Sequence, residues 1–180
     1  ATVEIVQGIL DDVKPATTKL VMETESYLLP DGPDEYLALL KAINRDGFAV
    51  HFDPVNITSS PRRFYFSGDF LRDCFATLGK WVISCHAKDT NIVDHASVQL
   101  TETFVGDGKL DYDTYLTEIT RLSPSPTLMI EHLNASQMKQ GLEFLFEKAG
   151  ELGIVFERSD ERDPGFLDGA GAEYFAPHVG

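Results

Sequence analysis

Four times along this chain a short apolar run ends on a side chain that can bind a metal, and each time a helix-like stretch comes next. The runs are Leu20-Val21-Met22-Glu23, Ala49-Val50-His51-Phe52-Asp53, Val82-Ile83-Ser84-Cys85-His86 and Thr127-Leu128-Met129-Ile130-Glu131. Strand and helix alternating at this spacing imply right-handed βαβ units and a parallel sheet. A parallel barrel gathers its strand ends into a ring, so side chains far apart in sequence meet there. A doubly wound sheet is the alternative, but it does not focus four strand ends on one axis.

Residues 2–12 read as a helix stopped before Pro15, Lys19–Glu23 as a strand, and Asp34–Ile43 as a helix started by Pro33. Phe48–Asp53 is the second strand. Pro54–Ser67 reads as a long loop carrying the aromatic cluster Phe64, Tyr65 and Phe66, then a helix Phe70–Leu78 capped by Asp69 or Ser67 and ended by Gly79. Trp81–His86 is the third strand and Lys88–Lys109 a polar, glycine-containing loop. A helix capped by Asp111 or Asp113 then runs to Arg121, and the prolines of 123–126 break the chain. Thr127–Glu131 is the fourth strand, and Ser136 caps the longest helix, which ends before Gly153.

The expected architecture is α/β, a TIM-barrel type parallel βα repeat. Residues 1–156 form the C-terminal half of a (β/α)8 barrel, about its last four βα units, and 157–180 a C-terminal tail. A whole barrel takes about 250 residues, against 180 here. A bare half-barrel exposes two strand edges. Either a missing N-terminal half or another chain in an oligomer is therefore expected to complete it. The chain opens inside a helix-like stretch without an initiator Met, which reads as the C-terminal part of something longer.

Side chains alternate along a strand. With Glu23 inward, Val21 and Glu25 share its face. His51 goes with Asp53, Ser84 and Lys88 with His86, and Met129 with Glu131, while Met22, Phe52, Cys85 and Ile130 pack outward under the helices. By the same alternation His132 faces away from Glu131. Three carboxylates crowded together without a cation repel strongly. With one imidazole they make an oxygen-rich site suited to Mn²⁺, Mg²⁺ or Co²⁺, with Zn²⁺ a further candidate.

The net charge of −14 argues against a nucleic-acid groove. No apolar run approaches the length of a membrane span. Two cysteines, Cys74 and Cys85, make no disulfide framework and read as reduced, which places the chain in the cytoplasm.

Five motifs in order now carry a resemblance: Val-Met-Glu at 21–23, His-Phe-Asp-Pro-Val-Asn at 51–56, Cys-His-Ala-Lys-Asp at 85–89, Val-Gly-Asp-Gly-Lys-Leu-Asp-Tyr at 105–112 and Met-Ile-Glu-His-Leu at 129–133. Over roughly residues 2–155 the chain resembles the second half of the sugar-phosphate isomerase/epimerase family, the xylose isomerase-like TIM barrels. The resemblance implies Glu23, Asp53, His86 and Glu131 as metal ligands, and Glu23 and Glu131 as the acid/base pair. The implied reaction moves a proton next to a carbonyl through a metal-stabilised enediolate of a sugar or sugar phosphate. Ketose 3-epimerases place a histidine where Asn56 stands and an arginine after the third ligand, near Lys88 and Asp89. Asn56, Lys88 and Glu25 are the expected substrate contacts, with an ion pair from Lys88 to Asp89 or Glu25 as the structural alternative.

Other residues read as structural. Arg62 and Arg63 are expected to be solvated, Gly106-Asp107-Gly108 to be a plain turn rather than a phosphate cradle, and Phe64, Tyr65 and Phe66 to cover the rim. His95 and His178 sit in polar loops. Two rival functions remain: a non-catalytic half-barrel that only binds metal, and an apurinic endonuclease-like enzyme, whose extra histidines and basic surface this chain lacks.

Overall fold

The computed structural model describes residues 1–94, 96–158 and 174–179. In chain order its elements are α1 (Thr2–Val13), β1 (Leu20–Glu23), α2 (Pro33–Ile43), β2 (Phe48–Phe52), α3 (Pro61–Tyr65), α4 (Ser67–Leu78), a 3₁₀ turn (Gly79–Trp81) and β3 (Val82–Ala87). Next come β4 (Asp89–Val93), β5 (Gln99–Thr103), α5 (Tyr112–Thr120), β6 (Thr127–Ile130), α6 (Ala135–Leu152), β7 (Ile154–Arg158) and β8 (Tyr174–Val179). β1, β2, β3 and β6 lie side by side, all parallel. β8 runs antiparallel along the outer edge of β6 and pairs with β7. No helix among the described residues is long and apolar enough to cross a membrane.

The helices form one layer on one face of the sheet, in the order α1, α2, α4, α5, α6. Outward-facing residues fill the space between: Phe48, Val50 and Phe52 of β2, Cys85 and Ala87 of β3, and Leu128 and Ile130 of β6. The helix layer answers them with Tyr36, Leu40, Leu71, Phe75, Tyr115 and Leu145. Cys74 and Cys85 are free thiols inside this core.

Phase along β3 depends on one extra residue. Val50 pairs with Val82 and the next residue, His51, with Ser84, so Ile83 is bulged out. A bulge shifts the alternation by one position and re-aims the side chains beyond it. Here it lets Val82 and Cys85 both pack outward while Ser84 and His86 point to the concave side.

Helix ends are set by local chemistry. α2 starts with Pro33 in its first turn, carries Asp34 and Glu35 there and Lys41 in the last turn, and stops at Asn44 in the left-handed conformation. The cap of α6 is Asn134, not Ser136. The Asn134 side chain accepts from the Ser136 and Gln137 backbone N–H groups, and the Gln137 side chain accepts from the Asn134 N–H. This reciprocal pair satisfies two otherwise orphaned donors.

Further expectations are corrected. The segment 54–67 is not all loop: Ser60 caps the short helix α3, and α4 begins at Ser67 with neither Ser67 nor Asp69 capping it. Gly79 does end α4 as its C-cap, and it carries the chain right-handed into the 3₁₀ turn. Residues 88–109 form the β4–β5 hairpin, an antiparallel pair separate from the main sheet. Of the segment expected as a tail, β7 runs through position 157 and residues 174–179 join the sheet, so His178 stands in a strand. His95 and residues 159–173 lie outside the described residues.

One side is uncovered among the described residues. α1 turns Val6 and Leu10 inward and leaves Ile5, Ile9 and Val13 exposed along a single stripe. The outer edge of β1 pairs with nothing among the described residues.

Candidate metal centre

The four expected ligands meet. Glu23 ends β1, Asp53 comes just after β2, His86 lies near the end of β3 and Glu131 comes just after β6. His86 Nδ1 stands 2.9 Å from Glu23 Oε1, 3.3 Å from Asp53 Oδ2 and 3.1 Å from Glu131 Oε2. One ligand atom from each residue fits within a set no wider than 4.8 Å. Neighbouring donors around a six-coordinate ion with bonds of ~2.1 Å lie about 3 Å apart, so these spacings fit a single divalent cation. Glu131 Oε2 is buried, and its close partners are the Lys88 ammonium at 2.6 Å and His86 Nδ1 at 3.1 Å.

Backbone and side chains hold three of the four candidate ligands, Asp53, Glu23 and His86. Asp53 is fully buried. Its Oδ1 accepts from the Val55 and Asn56 N–H groups at 2.9 and 3.1 Å, which leaves Oδ2 to face the centre. Asn56 also donates from Nδ2 to Glu23 Oε1 at 3.2 Å. Tyr115 Oη donates to the His86 carbonyl at 2.7 Å and holds the end of β3. Burial would raise the Asp53 carboxyl, but the His86 hydrogen bond and the nearby Lys88 ammonium outweigh it and hold the group below its ordinary value.

Alternation puts His51 on the inward face without a role, yet it joins the cluster. Its Nε2 is 3.0 Å from His86 Nε2 and its Nδ1 is 2.6 Å from Ser84 Oγ. Burial and the neighbouring His86 lower its pKa. A neutral His51 accepts from His86 Nε2–H and donates from Nδ1 to Ser84, which leaves His86 Nδ1 for the carboxylate side.

His132 does not face away. It takes a positive φ of 60°, and the ring stands 3.4 Å from Glu131 Oε1 and 3.3 Å from Glu102 of β5. Lys88 pairs with neither Asp89 nor Glu25; its Nζ lies 2.8 Å from Asp53 Oδ2 and 2.6 Å from Glu131 Oε2. The half-buried Glu25 side chain makes no hydrogen bond or ion pair among the described residues.

Asp89 has a different task. Its carboxylate accepts from the Thr90, Gly106 and Leu110 N–H groups at 2.9, 3.2 and 2.9 Å. The Gly106-Asp107-Gly108 segment is thus a turn whose inward N–H groups already hold an anion. Arg63 donates to the Asp31 and Ile57 carbonyls and lies over the Phe70 ring, which pins the loop before α3. Of the aromatic cluster, Phe64 is buried while Tyr65 and Phe66 are exposed. Beside the centre lies a cleft of about 410 Å³ whose lining includes Ser26, Asn56, Thr58, Thr90, Leu100 and Glu102.

The centre makes the fold pH-sensitive when no cation is bound. Burial opposes the charge on His86, but hydrogen bonds with Asp53 and Glu23 and the charges of Glu131 and Glu23 push its pKa up from 6.5 to about 9. A raised pKa gives stability that is complete below pH 6.5 and is lost as pH climbs through 9. After screening by solvent the loss is on the order of 1–2 kcal/mol, measurable by urea unfolding in the presence of a chelator. A cation must displace the same proton, so its affinity should rise across this window.

No protein-family model and no curated protein matches the sequence. Solved structures do. A xylose isomerase domain protein from Planctomyces limnophilus matches over 83% of this chain and 51% of its own, with a TM-score of 0.64 and 21% identity. A xylose isomerase-like TIM barrel protein from Mycobacterium smegmatis, solved in complex with magnesium, matches over 83% and 50%, with a TM-score of 0.63 and 14% identity. An L-ribulose 3-epimerase matches over 94% and 57%, with a TM-score of 0.60 and 12% identity. A probable 3-DHS dehydratase from Bacillus anthracis is similar as well. The chain therefore has the fold of half a xylose isomerase-like TIM barrel, and it spans about half the length of the proteins it matches.

Proposed function

We propose that this chain is the metal-bearing half of a divalent-metal-dependent isomerase or epimerase acting on a sugar or sugar phosphate. The observation that carries the reading is the convergence of Glu23, Asp53, His86 and Glu131 from four separate strands. Mn²⁺, Mg²⁺ and Co²⁺ suit three carboxylates and one imidazole best, and Zn²⁺ is also compatible. The similar structures named as sugar epimerases, and the one solved with magnesium, support it. The dehydratase with the same fold shows that the frame alone does not choose the reaction.

Such a cation polarises a carbonyl and an adjacent hydroxyl and stabilises the negative charge that builds up when a neighbouring carbon loses its proton. Glu23 and Glu131 reach the centre from the two ends of the parallel row β1–β2–β3–β6, so they flank whatever lies on it. One carboxylate removes the proton and the other returns it. Asn56 steadies Glu23 and is among the residues lining the cleft, whose hydroxyl and amide groups suit a polyhydroxy compound. Glu25 is the remaining candidate for a sugar hydroxyl.

Turnover requires a closed barrel. Four more βα units would cover the free edge of β1 and the Ile5–Ile9–Val13 stripe, supplied by a preceding half or by a partner chain. On the other side they would take the place β8 holds beside β6, since a closed barrel has only parallel neighbours there. By itself the chain is expected to bind the cation and turn nothing over. The buried reduced thiols suit a cytoplasmic setting.

A Mn²⁺ titration of the melting temperature tests the first part. Binding to the native state alone should add about 2.7 kcal/mol at a hundredfold excess over Kd. The second part is read by deuterium wash-in next to the carbonyl of free and phosphorylated sugars, with the completed barrel. A melting temperature indifferent to Mn²⁺, or no sugar that exchanges, would overturn the reading.

A further inference from the structure

We propose that Lys88 is a built-in counter-cation of this centre, holding its carboxylates together before a divalent ion arrives and lowering their affinity for that ion. The proposal rests on the reading of the cluster as a divalent-cation site.

Lys88 sits between β3 and β4, two residues past His86, and its side chain is only 2% exposed. A buried ammonium is tolerated only where it is paired. Its two partners, Asp53 Oδ2 and Glu131 Oε2, are the same oxygens that face His86 Nδ1. Asp53 has no other oxygen to offer, because Oδ1 is held by the Val55 and Asn56 N–H groups. Ammonium and divalent ion must therefore share acceptors.

The backbone keeps Lys88 in place. Tyr112 Oη donates to the Lys88 carbonyl at 2.7 Å, and the adjacent Asp89 is anchored by the N–H groups of Thr90, Gly106 and Leu110. Charge gives the consequence. With His86 neutral, as a metal ligand must be, three carboxylates and one ammonium leave a net charge of two negatives, which one divalent ion neutralises. Without Lys88 the carboxylates present three, repel one another more, and attract a cation more strongly.

The test uses the 180-residue chain with Lys88→Met and Lys88→Gln, and Mn²⁺ as the probe. Freed of metal by a chelator, both variants should melt below the parent. Both should bind Mn²⁺ more tightly, on the order of tenfold, and gain more melting temperature from it. If the parent binds Mn²⁺ and the variants bind it equally or more weakly, Lys88 is no counter-cation and the metal site stands. If the parent takes up no Mn²⁺, the site and the proposal fall together. Should neither variant fold, ¹H–¹⁵N spectra of the parent's lysine ammonium groups decide. One slowly exchanging signal that moves on adding Mg²⁺ supports the proposal; its absence, or its indifference to saturating Mg²⁺, overturns it.

Discussion

Asp53→Ala should cost the metal-free protein about 3–5 kcal/mol, the usual result of removing one partner from a buried charge pair. The change leaves the Lys88 ammonium and the protonated His86 without their buried acceptor. It also strands the Val55 and Asn56 N–H groups, which Asp53 Oδ1 now satisfies. Asn56 in turn braces Glu23, so the loop after β2 and the end of β1 should loosen together. Asp53→Asn keeps an oxygen for the two N–H groups and should recover part of the loss. Asp11→Ala is the control. Its pair with Arg45 is a surface one, screened by solvent, and its loss should cost far less. Urea unfolding of the three variants at neutral pH measures the differences. Equal stability for Asp53→Ala and Asp11→Ala would mean that the buried cluster does not hold these strand ends together.

Glu23→Gln and Glu131→Gln should each lower turnover by roughly 10²–10⁴-fold in the completed barrel, the usual share of a positioned general acid or base. The fold should survive, because both side chains keep more than a quarter of their surface exposed, 27% and 29%. Glutamine retains an oxygen that can face a cation but no longer exchanges a proton. Metal content measured beside the rate therefore separates a lost base from a lost ligand. A variant that keeps both its Mn²⁺ and the parent rate would show that its carboxylate moves no proton.

Why the fold and the convergence of four side chains can be read in the sequence, and other features cannot, has physical causes. A strand buried under helices repeats every second residue, and the apolar runs ending at Glu23, Asp53, His86 and Glu131 show that repeat with turn residues around it. The β4–β5 hairpin escapes because β5 in particular lies largely exposed and carries polar residues on both faces. His132 escapes because alternation holds only while the backbone stays extended, and a positive φ swings its ring back onto Glu131. Alternation puts Lys88 on the correct face, but its partners come from other strands, which spacing along the chain cannot reveal. The Asn134 cap did carry a signal, since Gln137 three residues later completes a capping box.

The central claim is that four strand ends serve one cation. Crystals of the chain grown with Mn²⁺ and measured at an energy where manganese scatters anomalously test it most directly. The account predicts one strong anomalous peak about 2 Å from carboxylate oxygens of Glu23, Asp53 and Glu131 and from Nδ1 of His86. A map with no peak there, or with manganese held elsewhere while these side chains stay paired with Lys88 and one another, would contradict it.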